Sequence, residues 1–504
     1  MPRVLTNGMS LSFTREASLG VLPVSPQWFE LEPNTLNSFG TTTSSEARSP
    51  ISKARARRKG TVTDLDSAVE FESDLTLTHL RLFAESFLFA SATGGDSYIT
   101  SAAVVGGYTV PALSGAQAGR MLYGVGAAIT LVNAIGFDTV ANNGLKPLTA
   151  KPAAGAVLIP VAGNAAEAPT ATVMAEVSIA GVRAAVGDLS IDAAGNLTSA
   201  VLDFTTLGIA RGQTIHIGGV DALHQFTNAA NTGFARVEQL AAHKLTLGKR
   251  DQAFVTEAGA GINVDLLFGQ FVRNVPLDHA DFLQPSHQFE LRSPNLMPGG
   301  AAGHEYAIGN WADALSISIP LTGKALLTLG FVGQNTTDPV AIRATNASAA
   351  KAGRQTEAFG TSSDIARLRM QDVDETGLTT DFKSATFTLT NNVAGEKVLG
   401  HLGPKYLNAG NIECDVENQM LFTSADVIHG IRCNTTFGLD WVLRNGDGGV
   451  AFDLPTGTLS GGGREYPANQ SVLINDTFAA HQEDGKLGFT CGLSFFPVLP
   501  AQAC

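Results

Sequence analysis

Asp64, Asp66, Glu70, Glu72 and Asp74 all fall on even-numbered positions, while Leu65, Val69 and Phe71 fall on odd ones. Successive side chains of a strand point to opposite faces, so this stretch puts five carboxylates on one face and its apolar set on the other. Glu413, Asp415 and Glu417 repeat the device against Ile412, Cys414 and Val416. Two chemistries suit such residues. A pair of carboxylates facing one cleft can cleave a glycosidic bond. A row of carboxylates spread along a sheet face instead makes a field that repels anions. Five on one strand face form a field, not a dyad. A solvated face is the plain alternative for either strand alone, and its double occurrence favours a functional surface.

The opposite charge is concentrated in "RSPISKARARRKGT", where Arg48, Lys53, Arg55, Arg57, Arg58 and Lys59 fall within twelve positions of a chain whose net charge is -13. Such a run suits contact with nucleic acid, contact with an acidic protein surface, or a solvated loop. The pairs His216/His224 and His279/His287 are eight residues apart, with no Cys or carboxylate in zinc spacing. HExxH, GxSxG, Walker and EF-hand patterns do not occur. The expectation is a protein that is not an enzyme and holds no cofactor or metal.

The elements that must position these residues are mostly strands. In "SATFTLTNN", Ala385, Phe387 and Leu389 alternate with Thr386, Thr388 and Thr390, and "LSISIPLTGKALLTLGF" reads as two strands joined at Thr-Gly. The spacing of Leu80, Phe83, Ala84, Phe87 and Leu88 predicts a helix behind Thr78 as cap, and "SADVIHGI" a second one behind Ser424. The apolar run "MLYGVGAAITLVNAIGF", with its glycines and Asn133, predicts buried strands, not a membrane span. No secretory signal is expected from the charged, core-less first twenty residues, and the four cysteines, Cys414, Cys433, Cys491 and Cys504, are expected to be reduced thiols. Only 16% of residues are charged. That low value fits surfaces covered by neighbouring copies, or simply an Ala- and Gly-rich composition.

Two internal echoes organise the chain. An offset of 350 superposes the segment from Gly60 on that from Gly410, with Phe71 on Leu421, Leu77 on Val427, His79 on His429 and Phe87 on Phe437. Between them, "NNGLKPL" and "NTGFARV" close two similar stretches with turn-forming dipeptides. Two small β modules inserted in an outer domain are expected, at 96–185 and 186–275.

Together these segments resemble the major tail tube proteins of long-tailed bacteriophages. The opening "LGVLPVSPQWFELEPNTLNSFGTTTSSEARSPISKARARRKGTVTDLDSAVEFESDLT" runs as arm, polar and basic loop, long strands and then helix. "FKSATFTLTNNVAGEKVLGHLGPKYLNAGNIECDVENQMLF" and "FDLPTGTLSGGGREYPANQSVLINDTFAAHQEDGKLGFTCGLSFF" resemble the family's closing half. The resemblance covers about 1–95 and 286–504, and the inserted modules depart from it. It implies a mainly β fold of duplicated tail-tube sandwich or barrel units, each with one short helix. Unit A would span 1–95 and 276–345, and unit B 346–504. It also implies a structural protein of the virion tail, assembled in the host cytoplasm into stacked rings that conduct viral DNA without binding it specifically. Three chains would complete a pseudo-sixfold ring, with a hexamer as the alternative. Other partners would be the tape measure, terminator and distal tail proteins, and none would be a membrane. The eight acidic residues become candidates for the lumen lining, because phosphate finds no cation there to hold it. The six basic residues, on a loop before the first long hairpin, become candidates for ring stacking. An adhesin or surface-decoration protein that binds host glycans is the alternative function, though residues 96–275 hold no Trp for a sugar platform.

Overall fold

The computed structural model describes the chain except residues 1–3, 50, 52, 54–57, 101, 125, 170–173, 344–349, 352–355, 373–376, 380, 424, 483–485 and 502–504. Among the described residues, seventeen strands hydrogen-bond into one antiparallel network, and a separate ten-stranded sheet is built from residues 97–267.

The broad sheet that carries the acidic residues contains eight strands. In chain order, with their helices, they and their neighbours are β1 (Thr35–Glu46), β2 (Thr61–Asp74), α1 (Leu77–Phe87), α2 (Gly115–Arg120), β3 (His287–Ser293), β4 (Gly303–Ile319), β5 (Leu326–Gly333), β6 (Phe382–Thr390), β7 (Ala394–Lys397), β8 (Pro404–Asn408), β9 (Glu413–Leu421), α3 (Asp426–Cys433), β10 (Thr436–Asn445), β11 (Gly448–Glu465) and β12 (Leu473–Ala480). Hydrogen bonding runs β1, β2, β5, β4 and then β6, β9, β12, β11, with β4 and β6 joining the two sets of four. The first parts of β4 and β11 leave this sheet and pair with β3 and β10 in a second layer. Each of these crossings carries a bulge at the same place, at His287/Phe289 opposite Asn310 and Ala307 and at Phe437/Leu439 opposite Gly457 and Leu454. A bulge bends a strand and sharpens its twist, which lets one strand serve two layers.

The core lies between the layers. Helix α1 fills the first half, with the Phe83 ring 5.5 Å from Phe331 and the Phe87 ring 5.4 Å from it. Its cap is Thr76, whose hydroxyl accepts from the His79 N–H, and not the expected Thr78, which is buried. Helix α3 covers the second half with Val427 and Gly430, while the expected cap Ser424 lies outside the described residues. Buried Asn391 donates from Nδ2 to Phe87 O and Ala312 O, tying the end of β6 to α1 and β4.

The first echo survives with a changed register. Across the first set, Phe39 faces Val69, which faces Phe331, which faces Ala312; across the second, Phe387 faces Val416, Phe478 and Leu459 in the same order. The strand offset is therefore 347, while the helices keep 350. The expected superposition of Phe71 on Leu421 fails because Phe71 is buried and Leu421 lies on the other face. An odd slip in register exchanges the faces of a strand. The longer connection between β9 and α3 absorbs the difference.

Residues 97–267 form the ten-stranded sheet and a small three-stranded one (Ala102–Val104, Gly107–Thr109, Leu158–Pro160) over one core, which joins Val132, Val177, Ile215, Val237 and Leu266. Position 185/186 falls inside this layer, since the strand Glu176–Arg183 pairs with Ile129–Ile135 on one side and Asp265–Leu267 on the other. A repeated clamp marks the second echo. Glu167 accepts from the Asp138 and Thr139 N–H groups and from Asn142 Nδ2; Glu257 accepts from the Thr227 and Asn228 N–H groups and from Asn231 Nδ2. The run 121–137 contributes the buried strand Ile129–Ile135, and no helix among the described residues is long and apolar enough to cross a membrane.

Candidate functional site

Both acidic strands have the alternation read from the sequence. Leu65, Ser67, Val69, Phe71 and Ser73 of β2 are buried, as are Cys414, Val416, Asn418 and Met420 of β9, and the carboxylates point the other way. Cross-strand partners share a face, so the registers show that the two acidic strips look out from the same side of one sheet. One row reads Glu72, Thr328, Ser316, Thr388, Asp415, Ala479, Thr458; the next reads Asp74, Leu326, Ser318, Thr386, Glu417, Thr477, Ser460. A third runs Glu70, Gly330, Ala314, Thr390, Glu413. Three strands dominated by hydroxyls and small residues thus separate the carboxylates. Four strand spacings put Glu72 and Asp415 about 19 Å apart along the sheet. This geometry offers a broad polar anionic surface instead of two carboxylates meeting over one bond.

The eight acids differ in how they are neutralised. Lys397 of β7 bridges Asp64 and Asp66 at 2.6 and 2.7 Å, which holds the Asp64 carboxyl below its ordinary range. Asp74 meets Lys324 at 2.6 Å and accepts from Asn34, and these contacts outweigh burial to lower it. Glu70 accepts from Asn37 Nδ2 at 2.9 Å. Among the described residues no cation lies within ion-pair distance of Glu72, Glu413, Asp415 or Glu417. Partial burial, reinforced by Glu413 and Glu417 on either side, pushes Asp415 up. The sequence reading missed Lys397 and Lys324, which come from other hairpins and give no periodic signal. It recorded Thr386, Thr388 and Thr390 only as the polar half of an alternation.

The basic run occupies the connection between β1 and β2, so it sits at the end of the long hairpin and not ahead of it as expected. "NTLNSFGTTTSSE" supplies the whole of β1. Thr and Ser are short and tolerate a strand, and β1 buries almost nothing that a hydrophobic pattern could reveal. Arg48, Lys53, Arg58 and Lys59 are exposed there; Arg55 and Arg57 lie outside the described residues. Neighbouring β5 pairs with β2 only over Ser67–Asp74, so the hairpin overhangs the sheet by six residues, about 20 Å. Hairpin β7/β8 braces it through Lys397, and is itself held to the end of β5 by Gln334 Nε2, which donates to Lys405 O.

The histidines are used locally: His216 Nδ1 lies 3.0 Å from Gly218 O and His287 Nε2 3.3 Å from Ser86 Oγ. Cys414, Cys433 and Cys491 are free thiols, and Cys504 lies outside the described residues. The 97–267 layer is fixed to the second half by a buried ionic cluster, in which Asp453 meets Arg236 at 3.0 Å and Lys249 at 2.8 Å while Arg367 meets Asp251 at 2.8 Å and also Asp440. Arg81 of α1 pairs with Glu176 and so fixes the layer to the first half as well.

A mainly antiparallel β protein with one wide sheet, polar on its outer face, is the class that fold and surface define. The family model described as phage tail tube protein matches residues 6–480, and the chain belongs to that family. It is accordingly a structural protein of the bacteriophage virion tail. A comparison with curated proteins gives no match.

Proposed function

We propose that three copies of this chain close into a ring, that rings stack into the tail tube, and that the acidic and hydroxyl-bearing sheet face lines the bore through which DNA passes. The observation that carries this reading is the repeated row of Phe39, Val69 and Phe331 in Phe387, Val416 and Phe478. It supports two tube units per chain, with strands 97–267 as an inserted decoration layer. Two sets of four strands from three chains give twenty-four strands. At about 4.8 Å per strand these make a barrel roughly 37 Å across the backbone before tilt.

The means of closure is in the strand edges. Among the described residues, strand β1 pairs only with β2, and β11 beyond Thr458 pairs only with β12. In the chain, β4 adds to β6 with Ala314 opposite Thr390 and Leu315 opposite Leu389. The same arrangement between copies brings Ser460 of β11 opposite Thr42 of the next β1. Closure removes both exposed edges. Glu70, Glu72, Asp74, Glu413, Asp415 and Glu417 then face the lumen, where like charge keeps phosphate moving. Asp64 and Asp66 serve the overhanging hairpin instead, whose basic end reaches the next ring. The tape measure, terminator and distal tail proteins meet the tube at its ends.

Negative-stain electron microscopy of concentrated protein tests the proposal. Averages down the ring axis with three decoration lobes are expected. Six lobes would discard the two-unit chain, and monomers at every concentration would argue against self-closure. A glycan-binding role gains little from the inserted layer, where Tyr98 and Tyr108 are buried and exposed Tyr123 has no Trp to build a platform with.

A further inference from the structure

The two strand sets agree at Phe39, Val69, Phe331 and Phe387, Val416, Phe478, and diverge one row further on. In the first set that row is Phe71, Leu329 and Leu315, all buried and apolar. In the second it is Asn418, Asp476 and Gly461. A fold that accepts Phe and Leu at these places does not require a carboxyl there.

Asn418 and Asp476 are direct cross-strand partners on the core face, 3% and 4% exposed. Asn418 Nδ2 donates to Val416 O at 3.3 Å. Its Oδ1 and both carboxylate oxygens of Asp476 are buried without a hydrogen-bond partner. Acceptors buried without donors are costly, and one proton would satisfy two of these three. We infer that Asp476 is carried as a carboxylic acid whose O–H donates to Asn418 Oδ1, a proton-held link between β9 and β12 beside the free edge of the sheet.

Burial acts the same way, pushing the Asp476 carboxyl up to about 7 against the smaller opposing pulls of the Asn418 side chain and of its own backbone N–H. Among the described residues the surrounding elements offer no compensating charge. Asp426, His429, Arg432 and Cys433 of α3 are exposed, Glu413, Asp415 and Glu417 of β9 lie on the opposite face, Arg464 and Glu465 of β11 are exposed at the strand end, and half-buried Lys383 of β6 sits at a bulge; none contributes to the shift. Gly461 stands opposite Asp476 and begins the run Gly461–Gly463, so ionisation loosens β11 where it has no second neighbour.

The direction of the pH effect follows. A carboxyl whose folded pKa exceeds the unfolded value of about 3.9 favours folding fully below that value and loses its contribution as pH rises toward 7. The folding constant falls by up to about tenfold per pH unit in that window.

Asp476→Asn keeps a donor for Asn418 Oδ1 and cannot titrate. Urea unfolding of dilute monomer should show the ratio of the two folding constants, variant over wild type, rising about five-hundredfold between pH 4 and pH 8. A constant ratio would overturn the link. Difference infrared spectroscopy on the wild-type chain should show a protonated carboxyl band at pH 6 that disappears above pH 8 and is missing from Asp476→Asn; absence of that band at pH 6 would also overturn it. Neither measurement uses assembled rings, so the ring proposal and this one fail separately.

Discussion

Val69 and Val416 hold the same position in two successive sets of four strands, each flanked across the sheet by two phenylalanines, Phe39 and Phe331 for one and Phe387 and Phe478 for the other. All but Phe39 are nearly inaccessible to solvent. Equivalent packing predicts equivalent energetics. Phe331→Ala and Phe478→Ala should each cost about 3–5 kcal/mol, measured by urea denaturation. A loss under 1 kcal/mol at Phe478 would show that the second set is not a core in its own right.

Asp453 is buried between Arg236 and Lys249, which together outweigh burial and hold its carboxyl below the ordinary range. Its contribution is therefore complete above the ordinary carboxyl range and lost as pH falls through the lowered value. Asp453→Asn leaves two buried cations short of a partner, and a loss of about 3–5 kcal/mol is expected. Calorimetry should also show the 97–267 layer melting ahead of the rest; a single unchanged transition would contradict the anchoring role.

Asp415 titrates in the opposite sense, because partial burial and its neighbours Glu413 and Glu417 raise its pKa. The stability it contributes is present at acid pH and lost as pH rises through the raised value. Asp415→Asn should therefore raise the melting temperature more at pH 7 than at pH 3. Equal shifts at both pH values would mean that the strip carries no mutual repulsion.

Lys397 ties hairpin β7/β8 to Asp64 and Asp66 at an exposed site. Lys397→Ala should leave the melting temperature of the monomer unchanged and speed amide hydrogen exchange in β1 and β2 between Thr42 and Asp66. Unchanged exchange would show that the hairpin is rigid without its brace.

Much of the architecture was legible because it rests on period-two burial. β2, β6 and β9 follow from Phe71, Phe387 and Val416 alternating with polar residues, and the strips on β2 and β9 from the other parity. That the strips share one face was not legible. It depends on the register of the intervening β5, β4 and β6, which no local pattern encodes. β1 gave no period-two signal of its own because its Thr- and Ser-rich face stays exposed. The even offset of 350 misaligned the strands because the helices, with His79 and His429, gave the louder similarity.

The most direct test of two units per chain is covalent. Thr42→Cys and Ser460→Cys, combined with Cys433→Ser and Cys504→Ser to remove the thiol exposed among the described residues and the one outside them, place one thiol on each free edge. Mild oxidation of assembled rings, followed by non-reducing electrophoresis, should give dimer and then trimer with nothing larger, and reduction should return monomer. A ladder that runs on to hexamer, or rings that form without any cross-link, would contradict a barrel closed by three chains through β1 and β11.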